Sequence, residues 1–399
     1  MSIENIIKKY NLGEKARDIR RYLHQNPELS ENEFGTRDYI CECLEKWGIE
    51  FKTGYADTGV VAIVRGKGSG RVVGLRGDMD ALPIKEETGL PFASVNDGVM
   101  HACGHDSHVT ILLITAIILN EMRDEFEGCV KFFFQPAEET IGGSHRMILD
   151  GCLKDPEVDY ILGLHVEPKY NTGKVGIRYG KMYAASDMID ITVKGSSAHG
   201  AHPDEGVDAI CVAANIINAA QTLVSRNISP LNSAVCTFGK IQGGTVRNQI
   251  ASEVKMEGII RTLDQETRLF ARERLRKLCF DMASAFGAEI EFDLMESYGP
   301  TINDDRVTSI VEENAVKLLG KENIILEDAP DLSCEDFSYF AMEKPACYFH
   351  LGCYDKKNGP RVDLHNPVFT IDEDCLMIGV RLQIENVLTL LERGILYGK

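Results

Sequence analysis

No stretch of this chain is apolar for long enough to cross a bilayer. The longest such run, Val109 to Leu119, contains two threonines and is about half of the roughly 20 residues that a membrane-spanning helix needs. Positive charge is scarce as well. Against 61 Asp and Glu stand 43 Lys and Arg, for a formal net charge of -18, so nucleic acid and anionic membranes are not expected as partners. The start, Met1-Ser2-Ile3-Glu4-Asn5, has no basic region followed by an apolar core, and no signal peptide is expected. No Cys-x-x-Cys pair occurs among the twelve cysteines. In a long chain without a secretory signal they read as reduced thiols, and the expected location is the cytoplasm. Gly-x-Ser-x-Gly, phosphate-binding loops, dinucleotide fingerprints, internal repeats and low-complexity segments are all missing.

What is present is enough apolar residue, 44% of 399, to fill two cores rather than one. Helical spacing runs over residues 14 to 25 and 35 to 47, strand-like runs over Val60 to Val64 and Arg71 to Leu75, a buried helix over Asp106 to Met122, and strands over Cys129 to Phe134 and Tyr160 to His165. Strands alternating with helices predict a layered, mostly parallel α/β sheet. From Ser186 the order becomes strand, helix (Val207 to Arg226), two strands (Ala234 to Ile241 and Glu253 to Arg261), helix (Glu266 to Phe286) and strand to Leu294. That order is the ferredoxin-like split unit. The expected architecture is therefore a catalytic α/β domain made of residues 1–185 and 296–399, with an α+β domain inserted over 186–295.

The densest chemistry lies in Met100-His101-Ala102-Cys103-Gly104-His105-Asp106-Ser107-His108. Three imidazoles, a thiol and a carboxylate in nine residues read as a metal site, because borderline ions take those donors, and one short segment seldom supplies them all. Further donors stand in Gln135-Pro136-Ala137-Glu138-Glu139, in Gly163-Leu164-His165-Val166-Glu167 and in Asp363-Leu364-His365-Asn366-Pro367. Loops at the carboxyl ends of strands are where open α/β sheets gather ligands. Glu138 and Glu139 are adjacent, and strand alternation would send them to opposite sides unless the chain turns. One carboxylate would then bind metal while the other serves as a general base, against the plainer reading of a solvated helix start. Asp80 reads as a carboxylate that fixes the tautomer of a ligand histidine, with Asp78 as a helper. His101 and His108 fit behind or beside the ligands, and His24, His145 and His350 fit structural roles. Cys103 as a thiol nucleophile with His105 as its base is the minor alternative.

Taken in order, seven segments resemble one family. They are His24-Gln25-Asn26-Pro27-Glu28-Leu29-Ser30 with Glu33, Arg76-Gly77-Asp78-Met79-Asp80-Ala81-Leu82-Pro83, the cluster from His101 to His108, Gln135 to Glu139, Gly195-Ser196-Ser197-Ala198-His199 with Pro203 and Gly206, Gly243-Gly244-Thr245-Val246-Arg247-Asn248, and Leu364-His365-Asn366. Together they resemble the amidohydrolase branch of the aminoacylase and glutamate-carboxypeptidase dinuclear metallopeptidases, which includes hippurate hydrolases, N-acetyldiaminopimelate deacetylases and indole-acetyl-amino-acid hydrolases. The resemblance implies two divalent ions, manganese or zinc with cobalt or nickel as further candidates, held by Cys103, His105, Glu139, His165 and His365. It implies Glu138 as general base and then acid toward a bridging hydroxide, with Asp80 among the catalytic residues. His199 would hold the oxyanion in its own or a partner subunit's site, and Asn248 and Arg261 would contact substrate. The inserted domain becomes a lid and dimerisation domain, and the protein a homodimer or larger homo-oligomer. The implied substrate is an N-acyl-L-amino acid, acetylated, benzoylated or similar. N-acetyldiaminopimelate deacetylation, cleavage of short peptides, and a binding protein without chemistry are the alternatives. One departure is Ala251, where the family pattern has proline.

Overall fold

The computed structural model describes residues 2–395, and in it the chain divides into two compact units. The first is assembled from three stretches, Met1–Gly180, Ile302–Ala329 and Asp336–Lys399, and the second from Lys181–Thr301 with Pro330–Glu335.

The first unit is built on an eight-stranded sheet whose strands are β1 (Glu50–Tyr55), β2 (Gly59–Arg65), β3 (Lys67–Asp78), β4 (Glu127–Gln135), β5 (Tyr160–Asn171), β6 (Val175–Ile177), β7 (Ile324–Leu326) and β8 (Ala346–Tyr354). Their spatial order is β1-β2-β4-β3-β5-β8-β6-β7. The four central strands, β4, β3, β5 and β8, are mutually parallel, whereas the β1–β2, β2–β4 and β8–β6 pairings are antiparallel. Central parallel strands are covered on both faces, which is why β4 and β8 read as nearly unbroken apolar runs. The helix His105–Glu121 is buried along its first fifteen residues, as expected of a helix that is apolar all round. Its approach to β3 needs Gly77, where a Cβ would stand 3.1 Å from the His108 carbonyl oxygen. Asp106 in its first turn receives Arg20 Nε and His24 Nδ1, each at 2.8 Å, inside the core. A carboxylate at a helix amino terminus is favoured by the helix dipole, and here it anchors the turn that carries His105.

The register aligns the functional ends of the strands. Asp78 on β3 stands opposite Gln135 on β4, Arg76 opposite Gly163 on β5, and His165 opposite His350 on β8. One expectation changes here: β5 does not end at His165 but continues to Asn171, so this histidine projects from within a strand.

The second unit is a four-stranded antiparallel sheet of Ala185–Lys194, Ala234–Gly243, Glu253–Thr262 and Glu289–Glu296. Numbered in chain order, its strands run 4-1-3-2, the ferredoxin-like arrangement. The helices Ala209–Thr222 and Gln265–Ala285 pack on it. The first is shorter than its apolar spacing predicts, because after Thr222 the backbone widens into a π turn over Leu223–Asn227. Side chains alternate in burial along the strand Ala185–Lys194, as a sheet with one covered face requires. The Asp187 carboxylate, also buried, is gripped by Arg268 and Arg272.

Candidate metal centre

Within the first unit, five donors expected from the sequence lie together. Cys103 Sγ is 3.4 Å from His165 Nε2 and 3.3 Å from His365 Nε2, and His365 Nε2 is 3.2 Å from Glu139 Oε1. The donors form two triads, Cys103-His105-His165 and Cys103-Glu139-His365, and within each triad the ligand atoms lie within 4.8 Å of one another. Cys103 belongs to both. A third set, His105-Glu138-Glu139, puts the second glutamate beside the first.

Each side chain is aimed by a partner behind it. His105 Nδ1 faces the Asp80 carbonyl oxygen at 2.9 Å and its Oδ1 at 3.2 Å, so a neutral ring carries its proton there and turns the Nε2 lone pair into the site. His165 Nδ1 donates to the Val166 carbonyl at 2.7 Å, which frees its Nε2 in the same way. His108 is different: Nδ1 donates to Asp78 at 2.5 Å and Nε2 accepts the Val166 N–H at 2.9 Å. With both nitrogens engaged it braces β5 next to His165. Asp78 is in turn paired with Arg76 at 2.7 Å, and Arg76 also binds Asp336 and Gln135. His365 reaches the site from a loop, with its N–H on the Ala102 carbonyl at 2.8 Å.

The expected opposition of Glu138 and Glu139 is removed by a turn. Ala137 has φ +56, a left-handed conformation that costs about 1–2 kcal/mol for a residue with a Cβ. The turn is held from both sides: Glu33 Oε1 accepts the Ala137 N–H at 2.9 Å, and Asp80 Oδ2 accepts the Glu139 N–H at 3.0 Å and the Ser30 hydroxyl at 2.7 Å. In the sequence Glu33 and Ser30 stand in a recognisable motif with no role of their own. No local signal connects them to a loop more than a hundred residues away.

The donor set fits a cation. An ion about 2.3 Å from sulfur and about 2.0–2.1 Å from imidazole nitrogen, in a tetrahedral array, holds the two donor atoms roughly 3.5 Å apart, close to the two sulfur–nitrogen distances found. His105 Nε2 and Glu139 Oε1 are buried and make no hydrogen bond among the described residues, although the His365 ring lies 3.2 Å from the Glu139 oxygen. Such orphaned atoms are costly unless something fills the space between them. The charge balance agrees. Burial alone would lower the His105 pKa, yet Asp78, Asp80 and Glu139 outweigh it and lift it to about 10, the mark of a surrounding negative charge that favours a cation. Burial and the neighbouring His108 hold His165 well below its ordinary value, in the neutral form that ligates. Burial, with the Glu139 and Glu138 carboxylates, pushes the Cys103 thiol well above its usual range. That is the reverse of an activated thiol nucleophile.

His24, His145 and His350 sit in structural surroundings. His24 bridges Asp106 and Glu86, His145 stacks on Tyr339, and His350 Nδ1 meets Glu327 at 2.7 Å. His101 is buried with neither ring nitrogen hydrogen-bonded among the described residues, and burial lowers its pKa to about 4.

In the second unit, His199 and Asn248 are both exposed, and their loops adjoin: the Gly200 N–H bonds the Asn248 carbonyl at 2.8 Å. His199 Nδ1 accepts the Ala201 N–H at 3.1 Å, so a neutral ring presents Nε2–H outward. Ala251, in the position of the expected proline, is buried, and its carbonyl receives the Ala209 N–H at 3.0 Å. Arg261 is half-buried, with one terminal guanidinium nitrogen, NH1, buried and unbonded among the described residues.

A parallel-centred α/β sheet beside which thiol, imidazole and carboxylate donors form two clusters is the arrangement of a metal-dependent hydrolase of the dinuclear kind. The chain belongs to Peptidase family M20/M25/M40, whose sequence profile matches residues 74–387. It is 40% identical over 359 residues to the N-acetyl-L-cysteine deacetylase of Bacillus subtilis, covering 90% of this chain and 84% of that protein. It is 36% identical over 358 residues to the hippurate hydrolase of Campylobacter jejuni, covering 90% and 92%. The crystal structure of Bacillus subtilis YXEP protein, described as a dinuclear metal binding peptidase from the M20 family, superposes with a TM-score of 0.83 at 33% identity over 96% of this chain and 99% of that one. The protein is a hydrolase acting on amide bonds.

Proposed function

We propose that this protein hydrolyses N-acyl-L-amino acids to a carboxylic acid and a free amino acid, with Cys103, His105, Glu139, His165 and His365 holding two divalent ions and Glu138 carrying the proton. The observation that carries the reading is the pair of triads sharing Cys103, with Glu138 grouped against His105 and Glu139. Manganese and zinc are the ions proposed, since imidazole, thiolate and carboxylate donors suit both. When bound, such ions supply Lewis-acid polarisation of the acyl carbonyl and lower the pKa of an attacking water.

The chain's own residues do the rest. Glu138 takes a proton from the water as it attacks the carbonyl carbon and passes that proton to the departing amine nitrogen, acting as base and acid in turn. Asp80 orients His105 and, through the Glu139 N–H, the turn that carries both glutamates. His199 offers an Nε2–H suited to the oxyanion. Arg261, with its unbonded guanidinium nitrogen, suits the free carboxylate of the amino acid, and Asn248 a second polar contact. The relatives whose names are N-acetyl-L-cysteine deacetylase and hippurate hydrolase support this substrate class. A cytoplasmic homodimer, with the inserted unit as lid and pairing surface, completes the reading.

The test is the Glu138→Gln variant assayed beside wild type on acetyl, benzoyl and longer acyl amino acids, with dipeptides in the same panel. It should keep its metal content and lose roughly 10²–10⁴-fold in turnover. Full activity in the variant removes Glu138 from the reaction, and turnover of dipeptides alone replaces the substrate class.

A further inference from the structure

We propose that Glu33 is a positioning residue for the hydrolysis: its buried carboxyl latches the left-handed turn at Ala137, and that turn is what brings Glu138 and Glu139 to His105. The inference rests on the reading of Glu138 as the proton carrier.

Glu33 immediately precedes the helix Phe34–Lys46, where a carboxylate would ordinarily cap the free N–H groups. It does not cap them. Glu28 performs that task, accepting the N–H of Gly35 at 3.0 Å and of Thr36 at 2.7 Å. Relieved of capping, the Glu33 side chain is wholly buried, with Oε1 on the Ala137 N–H at 2.9 Å and Oε2 on the Thr58 hydroxyl at 2.8 Å. Burying a carboxyl group is unfavourable, and burial duly pushes this one up to about 7. An apolar side chain would fill the space at less cost, but it could not accept the Ala137 N–H.

The turn needs such a partner. Left-handed backbone at a residue with a Cβ persists only where the surroundings over-determine it. On its far side the Gly142 N–H bonds the Ala137 carbonyl at 3.0 Å, and Gly143 is so close that a Cβ would lie 1.9 Å from the Pro136 carbonyl oxygen. On its near side the single hydrogen bond to the Ala137 N–H comes from Glu33. Without it Ala137 relaxes toward negative φ, and the two glutamates that follow are redirected together.

The experiment uses the full chain loaded with Co²⁺, comparing Glu33→Gln, Glu33→Ala, Thr58→Val and Glu138→Gln in kcat, KM and the visible absorption of the bound cobalt. Glutamine keeps an acceptor for the Ala137 N–H, so its kcat should stay within about threefold of wild type. Alanine should lower kcat by roughly 100-fold with little change in KM, because misplacing a reacting group costs about that much, and the cobalt absorption should shift as Glu139 moves. If Glu33→Ala does not fold, Thr58→Val decides: it loosens Glu33 and should lower kcat by about tenfold. Wild-type kcat and cobalt absorption in folded Glu33→Ala, wild-type kcat in Thr58→Val where Glu33→Ala does not fold, or Glu33→Gln as impaired as the alanine variant overturns the proposal. An active Glu138→Gln variant instead sinks the assignment of the proton carrier, and the cobalt absorption still reports whether the turn has moved.

Discussion

Gly104 separates Cys103 from His105, and replacing it tests whether crowding at one turn fixes the donor geometry. The residue has φ +87, and an added Cβ would lie 2.4 Å from Val166 Cγ2, next to His165. Alanine in a left-handed conformation costs about 1–2 kcal/mol. Forcing a methyl group against a buried side chain costs about 1–3 kcal/mol more. Gly104→Ala should therefore destabilise the protein by about 2–5 kcal/mol, and the shift of Val166 should carry His165 away from Cys103. Gly48 serves as the control. Its φ is +62, and an added Cβ would meet nothing within 4 Å, so Gly48→Ala should cost only the backbone share, about 1–2 kcal/mol. Urea unfolding followed by circular dichroism gives the two stabilities, and elemental analysis gives the bound metal. Equal stability losses in the two variants, with full metal in Gly104→Ala, would refute the idea that this turn is sterically set.

Three further outcomes are expected. Cys103→Ala should keep the fold but hold metal far less tightly, since it removes a donor from both triads; full metal content at full turnover would reduce the thiol to packing. Asp80→Asn should weaken metal binding by roughly 10–100-fold, the usual effect of a group behind a ligand, and an unchanged affinity by titration calorimetry would deny Asp80 that role. Glu33 should leave a signature in stability against pH. An acid lifted from near 4.5 to about 7 by burial keeps its proton longer in the folded than in the unfolded chain, so its contribution to stability is full below about pH 4.5 and declines as pH rises to about 7. At about 1.4 kcal/mol per pH unit the decline is about 3 kcal/mol. Glu33→Gln should abolish that slope, and a slope unchanged in urea melts across this range would contradict the buried, protonated state.

The parts of the fold legible in the chain were those governed by local pattern. Unbroken apolar runs mark β4 and β8 because both sheet faces are covered, and the strand-helix order after Ser186 gives the 4-1-3-2 sheet directly. The donor-rich segments were legible from their chemistry, whereas the particular set of Cys103, His105, Glu139, His165 and His365 was implied by the family resemblance. What was not legible depends on distant partners. Alternation puts Glu138 and Glu139 on opposite sides, and the turn at Ala137 is held by N–H groups that Glu33 and Asp80 accept, together with the Gly142 N–H on the Ala137 carbonyl. The length of β5 past His165 is set by pairing with β8 rather than by its own residues. His108 reads from the sequence as a residue behind or beside the ligands, but the bonds to Asp78 and the Val166 N–H that hold it there have no local signal.

Strand β8 lies between β5 and β6 yet comes from Ala346–Tyr354, after the whole of the second unit. On the ribosome, then, β5 emerges with one flank lacking its neighbour and stays that way while the 174 residues from 172 to 345 are translated. An open strand edge invites pairing with the wrong chain, and contacts so distant in sequence form slowly. Synthesis of this protein passes through a long interval in which its central sheet is unfinished and exposed to chaperones or to aggregation.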